Sequence, residues 1–541
     1  MRKLFVPPWH RLMVGELFPA LEYRSVNRQL LPVWLLLGLG LGLRFANLLG
    51  KPVWLDEAFT LFHISGFQPQ AAVTNLVTGL PVTVADLLQY QQPQVAHSLG
   101  QTIRNIAETA PELPPLYFAL LHRWMQLFGG GVWAMRFLSA IISLAVFPTV
   151  YWLCIELFGL PIVGWYSMAL IAVSPFHLNI AQEIRPYSLW SVCFLVASAL
   201  FLRAQRRESW RDWVGFSGAV LVGMYTHLFM LLPWLIYWLH SLLRAKLQLT
   251  RAFKQFVVVN GFIVAGFIPW LWFGFLMPRG GREAVFAKPF DSSLGLIKGL
   301  MQGVGRFFVD FSLNETSPRW GLLLYGLCVL AVLGLAGYSL IYVARHGPRR
   351  TRSFIWLMGL LPISLFIVSD LLLNASRTSF TRYYTPSVIV IEIAIAYCMA
   401  AKQTFRFQSS AIKPRWEKRW LALLLVGTLS CGWFILMPTW WSKTKTAANL
   451  CIVETTSSAA ASVIVTDEFY MRSLALAHQL KPTVAFQFYP LKSKTAPSLT
   501  PTVQSTFLYM PSPQFLKAMR GRYQLRSVCQ PALWKVDAIK E

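Results

Sequence analysis

The sequence predicts a mainly helical, polytopic membrane protein with a small α/β domain at its C-terminal end. Of its 541 residues, 55% are hydrophobic and 13% charged, about half the charged fraction of an ordinary soluble domain. Eleven apolar runs recur between short basic clusters, each near the ~20 residues needed to cross ~30 Å of hydrocarbon. Beyond residue 440 these runs stop, and short β-type segments alternate with helical ones.

The chain opens with Arg2, Lys3, Arg11, Arg24 and Arg28, followed by an apolar run over 30–49. No small-residue cleavage site follows, so the run reads as an uncleaved anchor. Its Gly38-Leu39-Gly40-Leu41-Gly42 suits close helix packing; a dinucleotide loop needs a strand before it. A semi-polar stretch with juxtamembrane helices, 51–131, comes next. Further spans are expected at 132–158, 161–177, 186–203, 213–227, 228–244, 255–277, 319–343, 353–373, 383–401 and 420–438.

A formal charge of +26 would suit a nucleic-acid partner if it covered one face of a soluble domain. Here the basic residues sit between spans: Arg203, Arg206, Arg207 and Arg211; Arg244, Lys246, Arg251 and Lys254; Arg345, Arg349, Arg350 and Arg352; Lys402, Arg406, Lys413, Arg415, Lys418 and Arg419. The charge therefore sets topology and implies no nucleic acid. The positive-inside bias puts these loops and the N-terminus in the cytoplasm, and 51–131, 178–185, 278–318, 374–382 and the C-terminus outside.

Two units follow, a membrane domain over 1–440 and an extracytoplasmic α/β domain over 441–541. The second is expected to hold strands near 461–465, 483–488, 506–510, 523–528 and 533–536, with helices at 468–480 and 513–522. Cys154, Cys193, Cys328, Cys398 and Cys431 fall in spans as small apolar core residues. Cys451 and Cys529 lie near the two ends of the outer domain, where oxidation is permitted, and are expected to form a disulfide.

Asp56 and Glu57 stand directly after the first apolar run, at the outer rim of the membrane. Carboxylates there are costly without a partner or a task, although the same pair also suits the first turn of a surface helix. Glu112 precedes Pro114-Pro115-Leu116-Tyr117, where paired prolines start a helix; it too reads as a cap or as a site residue.

Asp56-Glu57 after the first span and Pro114-Pro115-Leu116-Tyr117 before the second resemble the polyprenyl-phosphate-sugar-dependent glycosyltransferases of the GT-C fold. The branch resembled is the dolichyl-phosphate-mannose protein mannosyltransferase and lipid A aminoarabinose transferase group (glycosyltransferase family 39-like). The resemblance runs on through Arg136-Phe137-Leu138-Ser139, Gln182-Glu183-Ile184-Arg185-Pro186-Tyr187 and Arg382-Tyr383-Tyr384-Thr385-Pro386. It covers nearly all of the membrane part. It implies Asp56 as the base acting on an acceptor hydroxyl, and Glu57, Tyr117 and His227 as acceptor or pocket residues. Glu112 matches a carboxylate that lies at a metal-associated site beside the donor phosphate in the aminoarabinose-transferring relatives, which raises a divalent metal as a cofactor. The chain departs from the pattern at Leu113, which replaces a Lys or His common before the two prolines.

The lost cation shifts phosphate binding to Arg44, Arg185, Arg382 and Arg377, since guanidinium donates to phosphate bidentately. Three of them have a plainer reading: snorkelling for Arg44, a surface ion pair for Arg185, an interfacial anchor for Arg382. His227 also suits a hydrogen-bonded structural role, and Glu392 sits in mid-span with no assigned task. Gly280-Gly281 is a candidate hinge in the loop 278–318, which also holds Arg279, Arg282, Glu283, Lys288, Lys298 and Arg306.

The resemblance, with these residues, implies an inverting transferase in the cytoplasmic membrane. It would move one sugar from a polyprenyl-phosphate carrier to a protein, glycolipid or polysaccharide acceptor on the outer face. A secondary transporter or flippase for a lipid-linked sugar, or a scaffold displaying the outer domain, are the rival classes. Convergence of Asp56, Glu112, Arg185 and Arg382 in one outward cavity separates them.

Overall fold

The computed structural model describes residues 23–92, 98–246, 248–276, 299, 301, 303, 305–311, 318–404, 413–440, 443, 446, 448–459, 461–499 and 505–539. Arg2, Lys3, Arg11, Gly280-Gly281, Arg279, Arg282, Glu283, Lys288, Lys298 and Arg406 lie outside them.

Among the described residues eight helices are long and apolar enough to cross a membrane: Val132–Phe158, Tyr187–Arg207, Leu228–Ala245, Arg251–Leu276, Arg319–His346, Arg349–Leu373, Thr381–Gln403 and Arg415–Leu436. The chain is a multi-pass membrane protein. Two other expected spans are shorter helices, the apolar Leu31–Phe45 and the 17-residue Trp210–Thr226. The expected span 161–177 is corrected: it is two helices, Pro161–Ala172 and Pro175–Ala181, meeting at a bend of 67°. Pro175 causes the break, because proline has no N–H to continue the first helix yet suits the first turn of the second.

Burial sorts these helices. Positions 384–401 are all buried, so Thr385–Thr404 is the central helix of the bundle. By contrast, Arg251–Leu271 and Arg319–His346 present Phe262, Ile268, Leu323 and Leu327 outward, each more than half exposed. That is the pattern of helices facing lipid, where an outward Leu costs nothing.

The C-terminal segment, with one strand from 51–131, forms a six-stranded mixed sheet of order β1-β3-β2-β4-β6-β5, with β1 Pro81–Thr83, β2 Ser462–Thr466, β3 Val484–Phe488, β4 Ser505–Tyr509, β5 Tyr523–Cys529 and β6 Leu533–Ile539. Helices Tyr470–Ala477 and Pro513–Arg522 complete it. Its first strand comes from the loop 51–131, pairing antiparallel with β3 in the register Val82↔Phe486. Side chains from both ends of the chain fill one core: Phe62, Leu76, Leu87 and Tyr90 pack with Ile464, Leu474 and Phe486. The boundary at 440 to 441 thus divides the chain but not the packing.

Cys451 and Cys529 are disulfide-bonded, with Cα atoms 6.0 Å apart and 78 residues of separation. Closing a loop of that length restricts the unfolded chain, by about 4 kcal/mol in the chain-entropy description. Replacing Cys451 with Ser is expected to cost most of this, read as earlier proteolysis of the 448–539 segment on heating while the bundle stays intact.

Candidate functional site

The helix Leu55–Ser65 places both carboxylates in its first turn and ends on Gly66 at φ 86°, a conformation that glycine adopts without strain. The two carboxylates then part company. Glu57 is fully buried and accepts four hydrogen bonds: from Trp54 N at 3.3 Å, Ile184 N at 3.0 Å, and Arg136 Nε and Nη2 at 3.0 and 2.7 Å. Arg136 also donates to the carbonyls of Leu48 at 2.6 Å, Lys51 at 2.9 Å and Pro52 at 3.2 Å. Glu57 is therefore an internal cap and shapes the pocket wall; its four donors leave no free lone pair for an acceptor, which corrects that part of its expected role.

Asp56 points the other way, its side chain 28% exposed, with Oδ2 3.3 Å from Arg382 Nη2. Arg382 donates through Nε to the Tyr187 hydroxyl at 3.0 Å. Its guanidinium lies among rings, 4.8 Å from the centroid of Phe380, 5.1 Å from Trp54 and 5.4 Å from Tyr383. Arg185, 7% exposed, donates through Nη1 to Thr60 Oγ1 at 3.0 Å and to the Asp56 carbonyl at 3.3 Å. Those acceptors are neutral, and Arg185 Nε has no partner. Burial disfavours the Arg185 charge, but Tyr187 and the Asp56 carboxylate outweigh it and raise its pKa, against the opposing charge of Arg382; one carboxylate thus faces two guanidinium groups.

Two expected site residues support this group from behind. The His227 ring stacks on Trp190 at 4.6 Å and lies 5.4 Å from Tyr187, while its Nδ1 accepts from Phe229 N at 3.2 Å. Burial, then Arg185 and Arg382, push its imidazole down to about 3. It is a neutral brace for Tyr187. Tyr117 is fully buried, its hydroxyl 2.7 Å from Ser139 Oγ, and burial raises its phenol.

Sequence reasoning missed Lys443. It lies 3.9 Å from the ring centroids of both Trp54 and Trp440 and pairs with Glu183. Burial is the main cause that pulls its amine down to about 8 from 10.5. Between those values the folded chain binds one proton fewer than the unfolded chain, so this group makes stability rise with pH from about 8 to 10.5. Lys443→Met is expected to remove that part of the slope in thermal unfolding compared at pH 8 and pH 10. The signal in the sequence was a lysine directly after Trp440-Trp441-Ser442 at the end of the last span.

Other expectations are not met. Arg44 is 1% exposed and donates to the carbonyls of Gly40 at 2.7 Å and Ile171 at 3.1 Å, with Phe147 beneath it at 4.6 Å. It satisfies backbone oxygens near the 172–175 break rather than facing a phosphate. Arg377 donates to Ser369 Oγ at 2.8 Å and is not joined to Asp56 or Tyr187. Glu112 stands exposed in the turn before Leu116–Phe128. Among the described residues no group of three or more His, Cys, Asp or Glu side chains is arranged to hold a metal ion. Glu392, unassigned before, pairs with His177 at 2.8 Å inside the bundle.

Residues 112–273 match the family described as dolichyl-phosphate-mannose-protein mannosyltransferase. The structure superposes on ArnT from Cupriavidus metallidurans in the apo state with a TM-score of 0.51 at 14% identity, covering 93% of this chain and 97% of that one. The chain has the GT-C fold. The likeness to ArnT is one of fold, and the family match covers 112–273 of the 541 residues. The same ArnT bound to undecaprenyl phosphate gives the same TM-score, identity and coverage. The oligosaccharyltransferase AglB from Archaeoglobus fulgidus, in complex with an inhibitory peptide and a dolichol-phosphate, aligns at 12% identity and a TM-score of 0.44 over 84% of this chain and 65% of that one. No curated protein matches the sequence. In the GT-C chain the matched segment carries Tyr117, Arg136, Arg185, Tyr187 and His227, whereas Asp56, Arg382 and Lys443 come from outside it.

Proposed function

We propose that this GT-C protein moves a single sugar from a polyprenyl-phosphate donor to an acceptor hydroxyl, with inversion, on the extracytoplasmic face of a cytoplasmic membrane. The observation that carries this reading is two guanidinium groups, Arg185 and Arg382, gathered around the one half-open carboxylate of Asp56. A phosphate placed between Arg185 and Arg382 supplies the missing charge, and both arginines stabilise the leaving group as negative charge grows on it. Asp56 accepts the acceptor's proton as its oxygen attacks the anomeric carbon from the opposite side. One C–O bond forms, the C–O bond to phosphate breaks, and the polyprenyl phosphate leaves with the electron pair. That ArnT is described bound to undecaprenyl phosphate supports this donor class.

A transporter reading has less support. Arg44 and Glu392, which would line a route across the membrane, are at most 1% exposed and bonded inside the bundle, while the unbalanced charge gathers beside the loop 51–131 rather than at the midplane.

The test is transfer by the purified protein in lipid from a panel of radiolabelled polyprenyl-phosphate sugars. Arg185→Gln is expected to weaken donor binding about 100-fold, as when one member of a buried charged contact is lost. Sugar-lipid that crosses the bilayer without being cleaved would overturn the reading.

A further inference from the structure

A second polar site lies at the far end of the helix that begins in the Asp56 group. Tyr187–Arg207 runs 21 residues, about 30 Å at 1.5 Å per residue, from Tyr187 to the turn that starts Trp210–Thr226. That turn meets the first turn of Arg251–Leu271. Gln255 joins them, accepting from Trp213 Nε1 at 3.0 Å and donating to the Glu208 carbonyl at 3.1 Å. Between the two helix starts is a cavity of about 370 Å³ lined by Trp210, Arg251, Lys254, Gln255 and Val258.

We propose that this groove binds the headgroup of an anionic phospholipid in the leaflet opposite the Asp56 group. Both ends of Gln255 are engaged, so it forms a fixed floor. The rim keeps its cations in hand: Arg251 is 73% exposed and touches Glu208 at 4.0 Å, and among the described residues Lys254 pairs with no carboxylate. Asp212, the next acid along, is engaged by Arg203 at 3.2 Å, and Arg207 and Arg211 add charge of the same sign. Below the cations the surface turns apolar at helical spacing. Trp210 and Val214 on one helix, and Val258 and Phe262 on the other, are 48%, 64%, 49% and 66% exposed. Cations above an aromatic residue and an apolar strip match a lipid phosphate above its acyl chains, and each basic residue near an anionic surface strengthens the contact.

The experiment is native mass spectrometry of the full chain in detergent, titrated with phosphatidylglycerol and phosphatidylcholine. Phosphatidylglycerol is expected to be retained in preference, and Arg251→Gln with Lys254→Gln to lower its affinity about tenfold, leaving phosphatidylcholine unchanged. Glu208→Gln, which removes the competing carboxylate, is expected to raise phosphatidylglycerol binding and guards against loss of fold in the double variant. Equal retention of the two lipids, an unchanged double variant, or displacement of the lipid by millimolar inorganic phosphate would overturn the proposal.

Discussion

Replacing Asp56 with Asn is expected to lower kcat by about 10² to 10⁴ while leaving the KM for the donor lipid within a few-fold. The amide keeps the shape of the carboxylate and an oxygen for Arg382 Nη2, so the pocket stays in place. What it loses is basicity: the acceptor proton has nowhere to go as the new bond forms. Arg185→Gln should do the reverse, raising donor KM more than it lowers kcat, because on the proposed reading it holds the donor phosphate; it bonds the Asp56 backbone carbonyl and Thr60. Steady-state kinetics on the two variants separates base from binder. Equal loss of kcat and donor affinity in both would show that Asp56 acts by holding Arg382 and not as a base.

Glu57→Gln is expected to destabilise the protein by about 3 to 5 kcal/mol, the range for breaking one side of a buried ion pair. The carboxylate takes four donors, two on each oxygen, and an amide must turn its own NH₂ toward two of them. Arg136, itself 1% exposed, would then be a buried cation with carbonyls alone for partners. The readout is a fall in thermal stability in detergent, with kcat per folded molecule changing less than in Asp56→Asn. Arg136→Met should fall by a similar amount, and the double variant by much less than the sum, since no uncompensated charge remains.

The spans were legible because long apolar runs allow little else, and so were the strands beyond residue 460, where β-branched and aromatic residues alternate between turn signals. Asp56, Arg185 and Arg382 were legible as a set from their order between spans. The fates of the other polar groups were not. Arg44 and Arg136 look alike in sequence, each an arginine in an apolar helix, and what separates them is which carbonyls and carboxylates the fold places within 3 Å. Lys443 was hidden because Trp54 and Glu183, which meet it beside the nearby Trp440, come from two distant segments. A three-residue strand such as β1 has no period to read, so its pairing could be seen only in three dimensions.

That pairing bears on how the molecule is made. Pro81 lies opposite Gln487, roughly 400 residues later in the chain, and Gln91, on the same loop, bridges the Ala58 carbonyl at 3.1 Å to His478 Nε2 at 2.5 Å. During synthesis the N-terminal part emerges first, so the helix bearing Asp56 waits with one flank bare until the segment 462–488 has been made. A chain that stops before residue 484 lacks the strand that β1 pairs with, and the helix bearing Asp56 then keeps one flank uncovered.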